Sequence, residues 1–337
     1  MLEKPALDEA VLSQTLAQAY GLLVVRIEFL PLGAAQYTAV YRVTGGDGAC
    51  YFLKLRSEAF DETSVILPHF FVQQGIRHII PPRTTRAGQL WANLENYRAI
   101  VYPYIQGQDG YAMPLKDAHW IELGCTFRQI HRLALPEEIK ARIPCETYPG
   151  QWRASLKALL EDETCWILAD QPAKKAAALL RARRDETLWL VQRAEALAQA
   201  LQARPAQRVL CHTDLHAGNI LVDSCGEFFI VDWDAPLLAL KERDLMYPGG
   251  AQGFLGHTPE EEERLFFQGY GQVKVDREAL AYYRCERIVQ DIAIFGEQLL
   301  LSAEGGADRE PACGYLASNF LPGGTLAMAR RADRLCQ

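Results

Sequence analysis

The sequence predicts an α+β protein of two lobes, a small antiparallel β-rich N-lobe over residues 1–105 and a larger helical C-lobe over 106–337. Three observations carry this expectation. Short runs rich in β-branched and aromatic residues crowd the first hundred or so positions. The apolar period becomes helical after Gly107. A brief β-like stretch then returns at 207–232, inside the helical part. A length of 337 residues also suits two units.

The elements follow in order. Residues 24–30 (VVRIEFL), 37–43 (YTAVYRV) and 50–55 (CYFLKL) read as three consecutive strands, each bounded by glycine or polar turns. Thr44–Gly48 suits a hairpin turn between the second and third. A helix is expected at 61–75, interrupted or kinked by Pro68, and two further strands at 89–94 and 98–105. Beyond the connector, Trp120, Leu123, Phe127 and Ile130 recur at helical spacing and predict a helix over 117–134. Helical patterns continue at 151–162 and, as one Ala-rich stretch, at 173–203. Helices at 259–270 and 277–301 close the series. The first of these opens on Thr258 as N-cap, Pro259 at its first position and Glu261 in capping-box position.

Composition narrows the class. Hydrophobic residues make up 49% and charged residues 23%, which supplies a sizeable core and argues against disorder. The net charge of −7 argues against a nucleic-acid partner, and the basic cluster Arg181–Arg184 runs straight into Asp185-Glu186, as a solvated helix face would. A mildly acidic chain tolerates cationic ligands, while a phosphate site needs its own local positive charge. The nine cysteines include no C-x-x-C pair, which argues against zinc. They read as free thiols of a reducing compartment, and the N-terminus shows no secretory h-region, so a cytoplasmic location is expected. No apolar run approaches the ~18 residues of a membrane helix.

The residues that carry chemistry lie in the returning β region. His212-x-Asp214-x-x-x-x-Asn219 has the spacing of a kinase catalytic loop. Phosphoryl transfer needs an acceptor hydroxyl held in line with the γ-phosphate and relieved of its proton late in the step. Asp214 is the carboxylate for that task, and Asn219 offers an amide oxygen to Mg²⁺, a hard cation. The apolar run Phe228-Phe229-Ile230-Val231 then delivers Asp232, a second metal ligand, within Asp232-Trp233-Asp234. Lys54 lies in an apolar strand, where the kinase scaffold keeps a lysine for the α- and β-phosphates of ATP. Glu62, opening the next helix, is its expected carboxylate partner, with Glu58 as the alternative. The connector Pro103-Tyr104-Ile105 lies where adenine would sit, offering the Pro103 carbonyl and the Ile105 N–H. The segment Leu30–Tyr37, with one glycine, reads equally as a phosphate-covering loop or a plain turn. His131 and His212 read as structural histidines.

A small acceptor is favoured over a protein one. No A-P-E element follows Asp232, so no activation segment is recognisable, and the long helical stretch between connector and catalytic loop can build a pocket. Asp234 is the best-placed carboxylate for a cationic amine, with Glu286 and Asp291 on the later helix as further candidates. Five positions apart, those two share only part of one face.

These motifs resemble the aminoglycoside phosphotransferase and choline-kinase-like superfamily, which has a protein-kinase-like fold. Lys241–Met246 and Tyr282–Ala293 make the chain similar to the spectinomycin phosphotransferase group within it. The likeness spans nearly the whole chain, with departures around 170–210 and 305–325. It implies Asp214 as catalytic aspartate, Asn219 and Asp232 as Mg²⁺ ligands, Lys54 as triphosphate lysine and the connector backbone as adenine site. It also implies an antibiotic-resistance kinase acting on a hydroxyl of spectinomycin, a cationic aminocyclitol. Choline, homoserine, a thio-sugar or another aminoglycoside remains open as acceptor, as does a non-catalytic nucleotide-binding role.

Overall fold

The computed structural model describes residues 4–5, 7–31, 38–57 and 60–336. Most of the Leu30–Tyr37 segment, at 32–37, and Glu58 lie outside the described residues. In chain order, α1 (Glu9–Tyr20) precedes β1 (Val24–Leu30), β2 (Thr38–Gly45) and β3 (Cys50–Ser57). Then come α2 (Thr63–Gln73), β4 (Ala92–Leu94), β5 (Tyr97–Pro103) and β6 (Gly107–Asp109). Helices α3 (Asp117–Arg132), α4 (Glu137–Lys140), α5 (Gln151–Glu161), α6 (Gln171–Ala182) and α7 (Arg184–Gln202) follow. Strands β7 (Val209–Cys211), β8 (Ile220–Asp223), β9 (Phe228–Ile230) and β10 (Leu237–Ala239) make the returning β region. Helices α8 (Glu242–Leu245), α9 (Pro259–Tyr270), α10 (Arg277–Leu300), α11 (Arg309–Ser318) and α12 (Thr325–Arg334) complete the set.

This α+β chain divides into two compact units, and neither is one continuous stretch. The first holds the described residues up to Pro114 with Ala134–Ile143 and Ala217–Pro236; the second holds Leu115–Leu133, Pro144–His216 and the described residues from Leu237 onward. The linear split expected at 105/106 therefore differs from the observed partition. The reason is hydrogen bonding: β6 pairs antiparallel with β8, from Gly107 opposite Asp223 to Asp109 opposite Leu221, and β8 pairs with β9. That ladder carries residues from late in the chain into the first unit.

In the first unit, β1-β2-β3-β5-β4 form an antiparallel sheet. Alternation along β3 sends Leu53 and Leu55, both fully buried, into the core and leaves Lys54 and Arg56 together on the other face. Helix α1, absent from the sequence expectation, covers the core side with Leu12, Leu16 and Tyr20. Its signals were present: Asp8 caps the Ala10 N–H at 2.8 Å, the leucines lie one turn apart, and Gly21 supplies the left-handed residue at its end with φ 71°. Helix α2 runs through Pro68 as one element, so of the expected interruption or kink the interruption does not occur.

In the second unit, α10 is the central element, capped by the Asp276 side chain, which accepts the Ala279 N–H, and about 36 Å long by its 24 residues. Ile288, Ile292 and Leu299 on it pack with Leu156 of α5, Leu180 of α6 and Leu190 of α7 in one buried cluster. The Ala-rich stretch is two helices, because Arg183 leaves helical geometry (φ −111°, ψ 19°) and ends α6 before α7 begins. Helices α3 and α9 cross at glycine: a Cβ on Gly269 would stand 1.8 Å from the Ile121 carbonyl, and one on Gly124 would stand 2.0 Å from that of Phe266. Thr258 and Glu261 form the expected capping box on α9. No helix among the described residues is long and apolar enough to cross a membrane.

Candidate active site

The first unit gathers a cluster of alternating charge. Lys54 Nζ donates to Asp234 Oδ2 at 2.9 Å and lies 3.4 Å from Asp232 Oδ1. Arg56, two residues along the same strand, is ion-paired with the same Asp234 oxygen. Burial pushes the Asp234 carboxyl up, but the two cations outweigh it and hold the group below the usual carboxylate range. Strand β9 aims these acids. Ile230 donates its N–H to the His78 carbonyl at 2.8 Å and Val231 to the Asn219 carbonyl at 3.0 Å, while the Trp233 ring meets Phe71 edge-on at 4.7 Å. Asp232 itself takes a left-handed backbone, φ 63°. The Val231–Asn219 hydrogen bond ties the backbone just before Asp232 to Asn219, and both side chains offer oxygen. That donor set fits a divalent hard cation such as Mg²⁺.

One expectation is corrected in this unit, and one residue gains partners that the sequence did not foresee. Glu62 does not pair with Lys54; its carboxylate lies at the start of α2 and accepts from Arg142 at 2.7 Å, while Asp232 and Asp234 already neutralise Lys54. Asp234, expected to meet a cationic substrate, is the shared counter-ion of Lys54 and Arg56, because β3 alternation brings both cations to its face. Arg56 was missed by the sequence reading, although the K-x-R alternation in an apolar strand signals it. At the connector, Tyr104 commits its N–H to the Cys50 carbonyl at 3.2 Å. Ile105 makes no hydrogen bond among the described residues, so its N–H stays open for the expected use.

The second unit holds Asp214. Arg287 of α10 donates to its Oδ1 at 2.5 Å, and His216 Nε2 lies 3.5 Å from its Oδ2. Burial works against the charge, yet the His216 hydrogen bond and the Arg287 charge prevail and hold Asp214 well below the usual carboxylate range. It is ionised across the neutral range. Arg287 also lies 3.1 Å from Asp291 Oδ1 and 3.3 Å from the Tyr247 hydroxyl. Burial dominates at Asp291 and raises its carboxyl despite Arg287. Glu286 is paired with Arg153 at 2.7 Å, and burial pushes it up to about 7. Both carboxylates proposed for a cationic amine are therefore engaged by arginines of their own unit, since a buried charge needs a partner.

The backbone before Asp214 is strained and heavily braced. Thr213, a β-branched residue, has φ 75°. Fully buried Asp244 accepts the N–H groups of His212 at 2.9 Å and Thr213 at 2.8 Å, and the Tyr247 hydroxyl donates to the Thr213 carbonyl. His131 completes the brace, with Nε2 3.0 Å from Asp244 and Nδ1 2.8 Å from the Tyr270 hydroxyl. His212 Nδ1 accepts the Asp214 N–H at 3.2 Å. The histidines are structural, as expected, whereas Asp244 and Arg287 were not singled out, although they lie in the segments Lys241–Met246 and Tyr282–Ala293 that carry the resemblance.

Comparisons with known proteins agree on one group. The model of the phosphotransferase enzyme family matches residues 28–235. A spectinomycin phosphotransferase crystallised with ADP and spectinomycin is 31% identical, with a TM-score of 0.91 and coverage of 98% of this chain and 100% of that one. Its AMP-bound complex matches at 30% identity, a TM-score of 0.85 and coverage of 97% and 99%. An amicoumacin kinase in complex with AMP-PNP and Ca²⁺ shares the fold at 17% identity, a TM-score of 0.61 and coverage of 94% and 95%. No curated protein sequence matches.

Proposed function

The chain belongs to the phosphotransferase enzyme family, and from that premise we propose that it transfers the γ-phosphoryl group of ATP to a hydroxyl of spectinomycin or a closely related cationic aminocyclitol. The observation that carries the chemistry is Asp214, kept ionised by Arg287 and His216 five positions before Asn219. The observation that favours the acceptor is the full-length likeness to a spectinomycin phosphotransferase.

The residues divide the task as follows. Asp214 accepts a hydrogen bond from the acceptor hydroxyl and turns its oxygen toward phosphorus. Its low basicity suits a loose transition state, in which the proton leaves late. Lys54 and Arg56 form a cation pair for the phosphates, and Asp234 keeps both on one face of β3. Asn219 and Asp232 would hold Mg²⁺, which when bound neutralises charge on the transferring group. The Pro103 carbonyl and the Ile105 N–H serve the adenine edge, and the braced loop limits the wandering of Asp214. The nine free thiols fit a cytoplasmic enzyme, and drug resistance is the physiological role this acceptor implies.

A panel of acceptors with radiolabelled ATP tests the reading. Spectinomycin should turn over, while choline, homoserine and a thio-sugar should not. Label on one of those alcohols and none on spectinomycin would remove the narrow reading but keep the kinase. Asp214→Ala should lower turnover about 10²–10⁴-fold while nucleotide binding persists. Unchanged turnover in that variant would sink the mechanism.

A further inference from the structure

The second unit contains a cavity of about 470 Å³ that the phosphoryl-transfer residues do not use. Arg128 and Arg132, one turn apart on α3, line it, as do Arg204, Lys241 and Glu242. Two of its cations are already neutralised: Arg204 pairs with Asp276 at 2.7 Å, and Lys241 with Glu242 Oε1 at 2.8 Å. Arg128 and Arg132 have no carboxylate partner among the described residues. The C-terminal end of the α3 dipole offers them only about half a charge. Two guanidinium groups on one face of α3 thus suit an anion, since a guanidinium fork matches phosphate or carboxylate oxygens.

Glu242 supplies an independent observation. It is wholly buried, and its Oε1 also accepts the Asp276 N–H at 2.9 Å. Its Oε2 is buried with no donor. A buried acceptor without a donor is unfavourable, and a donating ligand group would relieve it.

We propose that this cavity binds a small phosphate ester bearing a free hydroxyl, with the phosphate on Arg128 and Arg132 and the hydroxyl donating to Glu242 Oε2. A phosphate monoester is close to a dianion at neutral pH, which matches two unpaired guanidinium groups better than a single carboxylate does. The volume lies in the ordinary range for small-molecule sites and exceeds what an inorganic ion needs. Occupancy is felt at the catalytic loop. His131 and Tyr270 line the same cavity, and His131 bonds Asp244, which holds the N–H groups of His212 and Thr213 beside Asp214. A ligand seated on the last turn of α3 thus acts on the brace of that loop, and linkage makes the effect reciprocal.

Titration calorimetry with glucose 6-phosphate tests the site on the full chain, saturated with AMP-PNP and Mg²⁺ so that the nucleotide's phosphate positions are filled. The expected result is one saturable site, no heat from glucose, and affinity at least about tenfold weaker in Arg128→Gln/Arg132→Gln. Both arginines are exposed, so the variant should melt like the parent. No saturable binding, or equal affinity in the double variant, overturns the site. Binding does not depend on which acceptor is phosphorylated, so this result stands apart from the acceptor panel. Coupling predicts that saturating glucose 6-phosphate changes kcat in the parent and not in the double variant; an unchanged kcat in both overturns the coupling.

Discussion

At the scale of single residues, the decisive feature is that Asp214 is not a free carboxylate. Arg287 and His216 stand against its two oxygens, and Asp291 and Tyr247 share Arg287 from α10 and the segment after α8. On the proposed reading Arg287 positions Asp214, and its loss has a readable sign. Its charge lowers the Asp214 pKa, so Arg287→Gln should raise that pKa toward ~4. The variant should then show an acid limb in its pH–kcat profile that begins at higher pH than in the parent. Arg287→Lys should restore part of the original profile. Identical profiles in parent and Arg287→Gln would show that Arg287 does not set the charge of Asp214. The left-handed backbone at Thr213 and Asp232 fits the same picture, since strain of this kind persists only where neighbours over-determine it.

At the scale of elements, caps and alternation explain most of the local structure, and helix α9 carries a testable cost. Glu262 is buried in its first turn, accepts the Gly249 N–H at 3.0 Å and has no ion-pair partner among the described residues. Burial raises its carboxyl from 4.5 to about 7. The folded state therefore binds its proton more tightly than the unfolded state. The stabilisation is complete below about 4.5 and is lost as pH rises through about 7. Glu262→Gln keeps an acceptor for Gly249 and cannot ionise. It should be more stable than the parent at pH 8 by about 1–3 kcal/mol and nearly equal at pH 4.5. Urea midpoints at the two pH values measure the difference, and an equal offset at both would contradict the burial argument.

At the scale of the whole molecule, the residues proposed for function fall in two discontinuous units. The first holds Lys54, Arg56, Asn219, Asp232 and Asp234, and the second holds Asp214 with its brace. Ligand linkage separates their tasks. AMP-PNP at about a hundred times its Kd should stabilise the protein by about 2.7 kcal/mol, seen as a rise of several degrees in Tm. Chelating divalent cations, or Asp232→Asn, should remove most of that shift, because the role proposed for Asp232 is to serve the nucleotide through the metal. Asp214→Ala should keep it. A shift indifferent to chelation would rule out the metal role assigned to Asp232.

The sequence by itself determined the fold class and most of the element order, and it singled out Asp214, Asn219, Asp232 and Lys54 as the residues proposed for the chemistry. Each is legible because it depends on short-range pattern: strand alternation, helical period, cap spacing, and the interval from His212 to Asn219. Helix α1 was legible too, from Asp8, Leu12, Leu16 and Gly21, but went unread. Only the tertiary structure decided which charges pair. Lys54 meets Asp234 180 residues away, Glu62 turns to Arg142, and Arg287 reaches back 73 residues to Asp214. Such partners are chosen by packing and by the cost of burying an unpaired charge. Neither leaves a mark in the residues that flank them.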